Sequence, residues 1–358
     1  SLTLGFAVRK AEEAKVDHMA KVLSIVVPSY NVEAYLERGL LSMCDERLAD
    51  ALEVIVVDDG STDATPAIAQ RFVDREPRIF KLVSKENGGH GSTINTGLAV
   101  ATGTYFRVVD GDDWVDTEGL VHLIEQLRSL DADLVVDEKR EVDMKTGASK
   151  LFPLVEGTVT GQVLPFSTVC RDPAISSQIM IHTLTVRTQL MREAGVHLLE
   201  HTFYEDYEYV VKASVPAESI VFLDLEVYQY LVGNANQSVS HANYVKRWDD
   251  HERVVLELLR YLGACRAHAD DFTPEALAYL AYTSSSTRTT TSPCSSMTTA
   301  AAVAPAPGRY ARNSSGSTRG SGAGATGATV RRWCSTGSAS DMTPSDGCTD
   351  AGTCRGIA

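Results

Sequence analysis

The chain has no apolar run near the roughly 18 residues that a membrane span requires, so nothing in it is expected to cross a bilayer. It has no basic surplus. Its 33 Lys and Arg stand against 47 Asp and Glu, a formal net charge of −14, which argues against a protein that coats nucleic acid. The opening residues SLTLGFAVRKAEEAKVDHMAK lack a sustained apolar core, so no secretory signal is read there. Because the chain opens with Ser1 rather than Met, the natural start is expected upstream. Cysteines paired at metal-ligand spacing are missing as well. Cys44, Cys170 and Cys265 are scattered and read as reduced, mostly buried thiols of a cytoplasmic protein. Two phosphate-binding signatures are also absent. Asn87-Gly88-Gly89-His90-Gly91 is not GxGxxG, and no GxxxxGK[ST] occurs, so neither a dinucleotide fold nor a P-loop is expected.

The strongest absence lies in the last stretch. From Ala281 to Ala358 there is no Leu, Phe, Lys or Glu, while four of the seven Cys fall there (Cys294, Cys334, Cys348, Cys354). Seven Arg against three Asp make the segment +4 and leave −18 for residues 1–280. Such a composition cannot bury enough apolar surface to offset chain entropy. It is read as the product of a reading-frame shift near Tyr282 in a GC-rich gene, with a natural disordered tail as the rival. Translation of the DNA in the other two frames decides between them: a frameshift requires one frame to continue an amphipathic helix past Leu280.

What is present begins with alternation of strand and helix. With 358 residues there is room for two domains or one large α/β unit. Residues 7–21 read as a short polar helix. Val22 to Val27 is a near-continuous apolar strand, stopped by Pro28, of the kind covered on both faces of a parallel sheet. Asn31 is read as the cap of a helix carrying Ala34, Leu36, Leu40, Leu41 and Met43. A second buried strand, Val54 to Val57, precedes helix 64–74, with Asp63 as its cap and Pro66 in its first turn. Strand 79–83, helix 92–101 and strand 104–109 complete a β-α-β-α-β-α-β run, which predicts a doubly wound parallel sheet. Ligands of such sheets bind at the carboxyl ends of the strands. Three of those ends are marked here: Pro28-Ser29-Tyr30-Asn31, Asp58-Asp59-Gly60-Ser61 and Asp110-Gly111-Asp112-Asp113. Carboxylates on a turn suit a hard divalent cation, and such a cation suits a diphosphate. By itself the acidic run could also be a solvated turn, and Asp58 or Asp59 a helix cap.

The ordered set Pro28-Ser29-Tyr30-Asn31, Asp58-Asp59-Gly60-Ser61, Lys85-Glu86-Asn87-Gly88-Gly89, Asn95-Thr96-Gly97 and Asp110-Gly111-Asp112-Asp113 resembles the family 2 glycosyltransferases with the GT-A fold. The likeness spans residues 22–240 and is strongest in the first half. It implies an α/β fold with a mostly parallel sheet flanked by helices. It also implies a nucleotide-diphospho-sugar donor, commonly UDP-linked, and a Mn²⁺ or Mg²⁺ ion. On that likeness Asp59 contacts the uracil, with Tyr30 packed near it, and Asp110 faces the ribose. Asp112 ligates the metal with Asp113 in support, and Pro28, Asn31, Asp58, Lys85, Gly88, Asn95 and Gly111 complete the donor site. Where many relatives have Ala-Arg-Asn, this chain has Thr93-Ile94-Asn95, so the Arg contact is absent or replaced. His90, in the Gly-Gly-His-Gly insert, is open to either a pocket or a purely structural role.

The second half continues with helix 117–129, strand 133–136, a hairpin-like excursion over 140–160 turning at Lys145-Thr146-Gly147, strand 178–186 and a short helix 187–194. Phe203-Tyr204-Glu205-Asp206-Tyr207-Glu208-Tyr209 is, on sequence alone, an acidic helix start. The resemblance implies more: Asp206 as general base of an inverting transfer, on the acceptor side of the anomeric carbon, with Glu205 in support. Val221 to Leu231 reads as a strand, and the polar loop after it offers Gln237 or Ser238 to phosphate. Val245, Trp248, Val255, Leu258, Leu259 and Leu262 fall at helical spacing, packed on the domain rather than a membrane. If the tail is frameshifted, the Trp248 and Leu258 face is expected to lie bare.

The organisation expected is a lead at 1–21, a nucleotide-sugar half at 22–114, an acceptor half at 115–240, a helical segment at 241–280 and the aberrant tail at 281–358. The function expected is transfer of a sugar from a nucleotide diphosphate to a hydroxyl of a glycan or lipid-linked acceptor in cell-surface polysaccharide synthesis. That work belongs in the cytoplasm or, through peripheral association, at the inner face of the cell membrane. A sugar nucleotidyltransferase and a non-catalytic nucleotide-sugar-binding relative are the alternatives, and oligomeric state is left open.

Overall fold

A computed structural model describes residues 21–233 and 246–290, the side chains of 285–290 excepted. The expected lead helix up to residue 20, Gln237, Ser238, Val245 and residues 291–358 with their four cysteines lie outside the described residues.

The uniformly apolar strands are where the sequence places them. β1 (Leu23–Ser29) and β2 (Leu52–Asp58) are buried along their whole length. Successive side chains of a strand point to opposite faces, so one face receives Val26, Ile55 and Val57 and the other Ile25, Val27, Val54 and Val56. Between β1 and β2 runs α1 (Leu36–Ser42). It is followed in order by α2 (Thr65–Arg75), β3 (Phe80–Ser84), α3 (His90–Val100), β4 (Tyr105–Val108), β5 (Trp114–Val115) and α4 (Thr117–Leu127). The pairings β3-β2-β1-β4 are all parallel, as expected.

The second half breaks the pattern. β6 (Leu134–Asp143) turns back into β7 (Ser149–Phe152), the expected hairpin, and β8 (Leu164–Pro165) is a short edge. β9 is shorter than read, Leu184–Arg187, and lies antiparallel to both β4 and β6. After α5 (Thr188–Glu193) and α6 (Asp206–Ser214), β10 (Ser219–Val232) runs parallel to β6 and antiparallel to β5. The sheet order is therefore β3-β2-β1-β4-β9-β6-β10-β5. Because β9 is reversed, its amino end lies beside the carboxyl end of β4, the edge where the acidic cluster sits.

Two capping expectations change. The residue before α1 is Tyr35, with no side-chain cap, and the Asn31 carboxamide oxygen instead accepts from Thr62 N at 2.9 Å. The reason is conformational: Asn31 sits at φ 53, four residues before the helix entry. Asp63 does serve the start of α2, accepting from Thr65 N at 2.9 Å, one residue ahead of the cap position at Ala64.

Under the site lies a buried ion pair. Arg107 of β4 and Asp137 of β6 are both fully enclosed and share a forked contact. The guanidinium also donates to Thr185 Oγ1 at 3.0 Å and to His182 O at 2.7 Å. Removing one partner of such a pair costs about 3–5 kcal/mol, because a charge is left buried and uncompensated. Asp137→Ala is thus expected to lower the urea midpoint by that equivalent with the slope unchanged. A loss below about 1 kcal/mol, the worth of a surface pair, would mean that water reaches Arg107.

The closing helices also differ from expectation. α7 (Trp248–Ala267) buries His251, Val254, Val255, Leu258, Leu262 and Cys265, whereas Trp248 and Leu259 are 36% and 38% exposed. The Leu258 face is not bare: α8 (Pro274–Thr290) packs alongside and adds Ala276, Tyr279 and Leu280 to the same core, with Tyr279 edge-on to Phe166 at 5.6 Å. α8 runs on past Leu280, and the Ser284 hydroxyl donates to Leu280 O at 2.7 Å, so the low-complexity sequence begins inside a helix. Among the described residues no helix is long and apolar enough to cross a membrane, and Cys44, Cys170 and Cys265 are free thiols.

Candidate active site

The three marked strand ends are stitched together by backbone. Asp59 N donates to Ser29 O, Lys85 N to Asp58 O and Gly111 N to Pro28 O, at 2.9, 3.0 and 3.1 Å. A side chain at Gly111 would stand 2.7 Å from Pro28 O, so only glycine allows the β1 and β4 turns to approach this closely. Tyr30 leaves this edge with 52% of its surface exposed, an open ring beside the strand ends.

Four expected donor-site residues, Asp58, Asp59, Lys85 and Asn95, are engaged within the chain. The Asp59 carboxylate, almost fully buried, accepts from Lys85 Nζ (2.8 Å), Gly88 N (2.9 Å) and Gly89 N (2.8 Å). It folds the 85–89 turn and takes Lys85 with it. Asp58 accepts from Ser61 N at 3.1 Å. The Asn95 carboxamide is engaged at both ends by Leu198, donating to its O at 3.0 Å and accepting from its N at 2.9 Å. It ties α3 to the segment that leads into Glu205.

The acidic cluster divides into unlike members. Asp113 is buried, and both its oxygens are taken: Tyr228 Oη donates to one at 2.6 Å and Leu231 N to the other at 2.7 Å. Tyr228 Oη also accepts from Asp110 N at 3.2 Å, so β10 grips the turn from beneath. Asp112 is held through its backbone, where Arg38, stacked 3.5 Å over Trp114, donates to its carbonyl at 3.3 Å. Burial and then the charge of Asp110 push Asp112 up to about 6. Burial, Asp110 and Asp112 hold Asp113 well above the usual carboxylate range. Like charges this close cannot all ionise freely, and a divalent cation relieves the conflict.

His182 joins this cluster and is invisible to the motif reading. One ligand atom from each of Asp110, Asp113 and His182 lies within 4.8 Å of the others. The ring packs against Tyr228 and Tyr230, at 5.0 and 4.6 Å between centroids, and burial drops its pKa to about 4. It is therefore neutral at pH 7, as a metal-ligating imidazole must be. Its place before β9 comes from the antiparallel reversal, for which the sequence carries no local signal.

A second acidic pair faces the cluster. The Glu205 side chain is buried, whereas 52% of the Asp206 side chain is exposed. Between the two groups stands His90, 2.9 Å from Asp110 Oδ1 through Nε2 and 2.6 Å from Glu205 Oε1 through Nδ1. Burial works against a charge on this ring, but Asp110 and Glu205 outweigh it and hold its pKa well above the usual histidine value. Asp110, opposed by burial, is pulled below its ordinary value by His90. Burial, then Glu205 and Asp110 against His90, lift Asp206 to about 7. Tyr204, just before the pair, is held at φ 68 with its ring stacked on His251 at 3.6 Å. A non-glycine residue in that region costs roughly 1–3 kcal/mol, strain that gathers at functional sites.

The family model described as glycosyl transferase family 2 matches residues 24–177. An uncharacterized glycosyltransferase, EpsJ of Bacillus subtilis, is 38% identical over 117 residues, 33% of this chain and 33% of EpsJ. The poly(ribitol-phosphate) beta-N-acetylglucosaminyltransferase TarS of Staphylococcus aureus is 28% identical over 265 residues, 71% of this chain and 43% of TarS. This chain thus spans about a third of EpsJ and less than half of TarS. A crystal structure of S. aureus TarS 1-349 with UDP-GlcNAc superposes with a TM-score of 0.53 at 23% identity, covering 66% of each chain. The fold is GT-A, and residues 24–177 carry the match to glycosyl transferase family 2.

Proposed function

We propose that the chain is a metal-dependent inverting glycosyltransferase that moves a sugar from a UDP-linked donor to a hydroxyl of a glycan or lipid-linked acceptor. One observation carries the reading. A clustered acidic set at the strand ends is separated, across His90, from a half-exposed carboxylate, Asp206, lifted toward neutrality beside Glu205. The first suits a diphosphate with its cation and the second suits proton removal. TarS, crystallised with UDP-GlcNAc, is the relative that makes uridine the first nucleotide to test.

The donor set fits Mn²⁺ or Mg²⁺. It is rich in hard oxygen, and Asp112 and Asp113 are raised by burial and then by the charge of Asp110, a conflict that a cation would relieve. Asp112 would hold the ion, with Asp113 fixed behind it by Tyr228 and Leu231, and with Asp110 and His182 as the neighbouring donors. When bound, the ion neutralises charge that develops on the leaving diphosphate. Tyr30, exposed at the β1 end, packs on the base. The acceptor oxygen then attacks the anomeric carbon from the Asp206 side. Its bond to that carbon forms as the bond to the diphosphate oxygen breaks, and its proton passes to the Asp206 carboxylate. Attack opposite the leaving group inverts the anomeric centre.

A thermal-shift panel of nucleotide sugars with and without Mn²⁺ tests the donor half. The melting point is expected to rise by mass action with UDP-sugars only when Mn²⁺ is present. No shift with any nucleotide sugar sinks the reading.

A further inference from the structure

His90 opens α3 and has no task in the mechanism above, yet its ring is the direct link between the two acidic groups. Nε2 meets Asp110 at 2.9 Å and Nδ1 meets Glu205 at 2.6 Å. An ionised carboxylate only accepts, so both contacts are hydrogen bonds when both ring nitrogens carry hydrogen. Among the described residues Glu205 has no other side-chain hydrogen bond, and its second oxygen is buried without a partner. Asp206 is the next residue. The backbone is shaped to bring these groups together. Gly89 turns at φ 87 into α3, His201 N donates to Gly88 O at 2.5 Å, and a side chain at Gly91 would strike Leu199 O at 2.4 Å. The Gly-Gly-His-Gly insert thus lets the 198–205 segment lie directly on the start of α3.

We propose that His90 is a positioning residue that ties the donor-side carboxylate of Asp110 to Glu205 and so sets Asp206 against the bound donor. The inference rests on the reading of Asp206 as base. It assigns the two ring nitrogens separate consequences: the Nε2 bond orients Asp110 toward the nucleotide, and the Nδ1 bond registers the base. A loss of register near 1 Å at a reacting centre costs on the order of 10²-fold in rate.

Asn and Gln separate the two bonds, because the Asn amide reaches the position of Nδ1 and the Gln amide that of Nε2. The experiment measures UDP affinity with Mn²⁺ by calorimetry, and kcat with a UDP-sugar and an acceptor panel, on the full chain. His90→Gln is expected to keep UDP affinity and lose roughly 10–100-fold in kcat. His90→Asn is expected to keep kcat within a few-fold and lose about 10-fold in UDP affinity, near one hydrogen bond to a charged group. Glu205→Leu, which removes the acceptor at the other end of the same link, should reproduce the kcat loss of His90→Gln with UDP affinity unchanged. Should His90→Ala fail to fold, the two isosteres decide. If Asn and Gln change kcat and affinity alike, or only in step with melting temperature, His90 is structural and the coupling is wrong. A wild-type chain that binds UDP and Mn²⁺ but turns over no acceptor overturns instead the enzyme reading, and the coupling with it.

Discussion

Asp206→Asn is expected to bind UDP and Mn²⁺ as the wild type does and to lose roughly 10²–10⁴-fold in kcat, the contribution of a positioned general base. The substitution keeps the size and polarity of the side chain and removes only its ability to take a proton. Asp206 opens α6, faces the acidic cluster across His90, and is the exposed member of its pair, so an acceptor hydroxyl can reach it while Glu205 stays buried. Its pH dependence follows from the same geometry. Burial and then Glu205 raise it from 3.8 to about 7, although solvent on its exposed side screens part of that push. The apparent value therefore falls between these limits and approaches the upper one when an acceptor covers the carboxylate. The base works deprotonated, so kcat should rise with pH and level off near neutrality. In Asp206→Asn that rise should vanish together with the rate. Transfer that persists in Asp206→Asn, with the same pH limb, would assign the proton to another group.

The fold was legible where one rule governed a whole segment. β1 and β2 are buried along their whole length and, apart from Ser24 and Glu53, apolar until their last residues Ser29 and Asp58, because helices cover both faces. The positions of the strand-end motifs therefore followed from local sequence, including the acidic turn after β4. Their bonding did not. Asp59 and Asn95 carry the right residue types, yet their side chains are saturated by backbone groups of the 85–89 turn and of Leu198. Polar pattern marks a place in the chain and leaves open whether a donor from the chain or from a ligand fills it. His182 and Tyr228 were unreadable for another reason. They reach the acidic turn through an antiparallel strand and through β10, far along the chain, and neither pairing has a local signature. The same holds for His90, whose two partners come from the carboxyl end of β4 and the start of α6. A helical repeat such as that of α7 gives the number of apolar faces but not their exact phase, which is why Trp248 and Leu259 turned outward.

Asp112→Asn is expected to abolish the Mn²⁺ dependence of UDP binding while the chain stays folded. Its carboxylate has the chemistry for a cation: it is raised to about 6 by burial and Asp110, so ionising it beside a metal removes an unfavourable charge conflict. Mutating a group that merely orients a metal ligand costs roughly 10–100-fold in metal affinity, so removing the ligand itself is expected to exceed about 100-fold. Asp113→Asn makes the contrast. Asp113 accepts from Tyr228 Oη and Leu231 N, and an amide must turn its NH₂ toward one of those donors. That change should lower the melting temperature, because a buried pair of bonds to β10 is broken. Calorimetric titration of UDP at fixed Mn²⁺, repeated in EDTA, distinguishes the two. If Asp112→Asn retains a large difference between the two conditions and Asp113→Asn loses it, the ligand is Asp113, and the bonds from Tyr228 and Leu231 serve to orient a metal-bound carboxylate. If neither substitution alters it, the Asp110 and His182 donors hold the ion without this pair, and the strand-end turn only shapes the pocket around them.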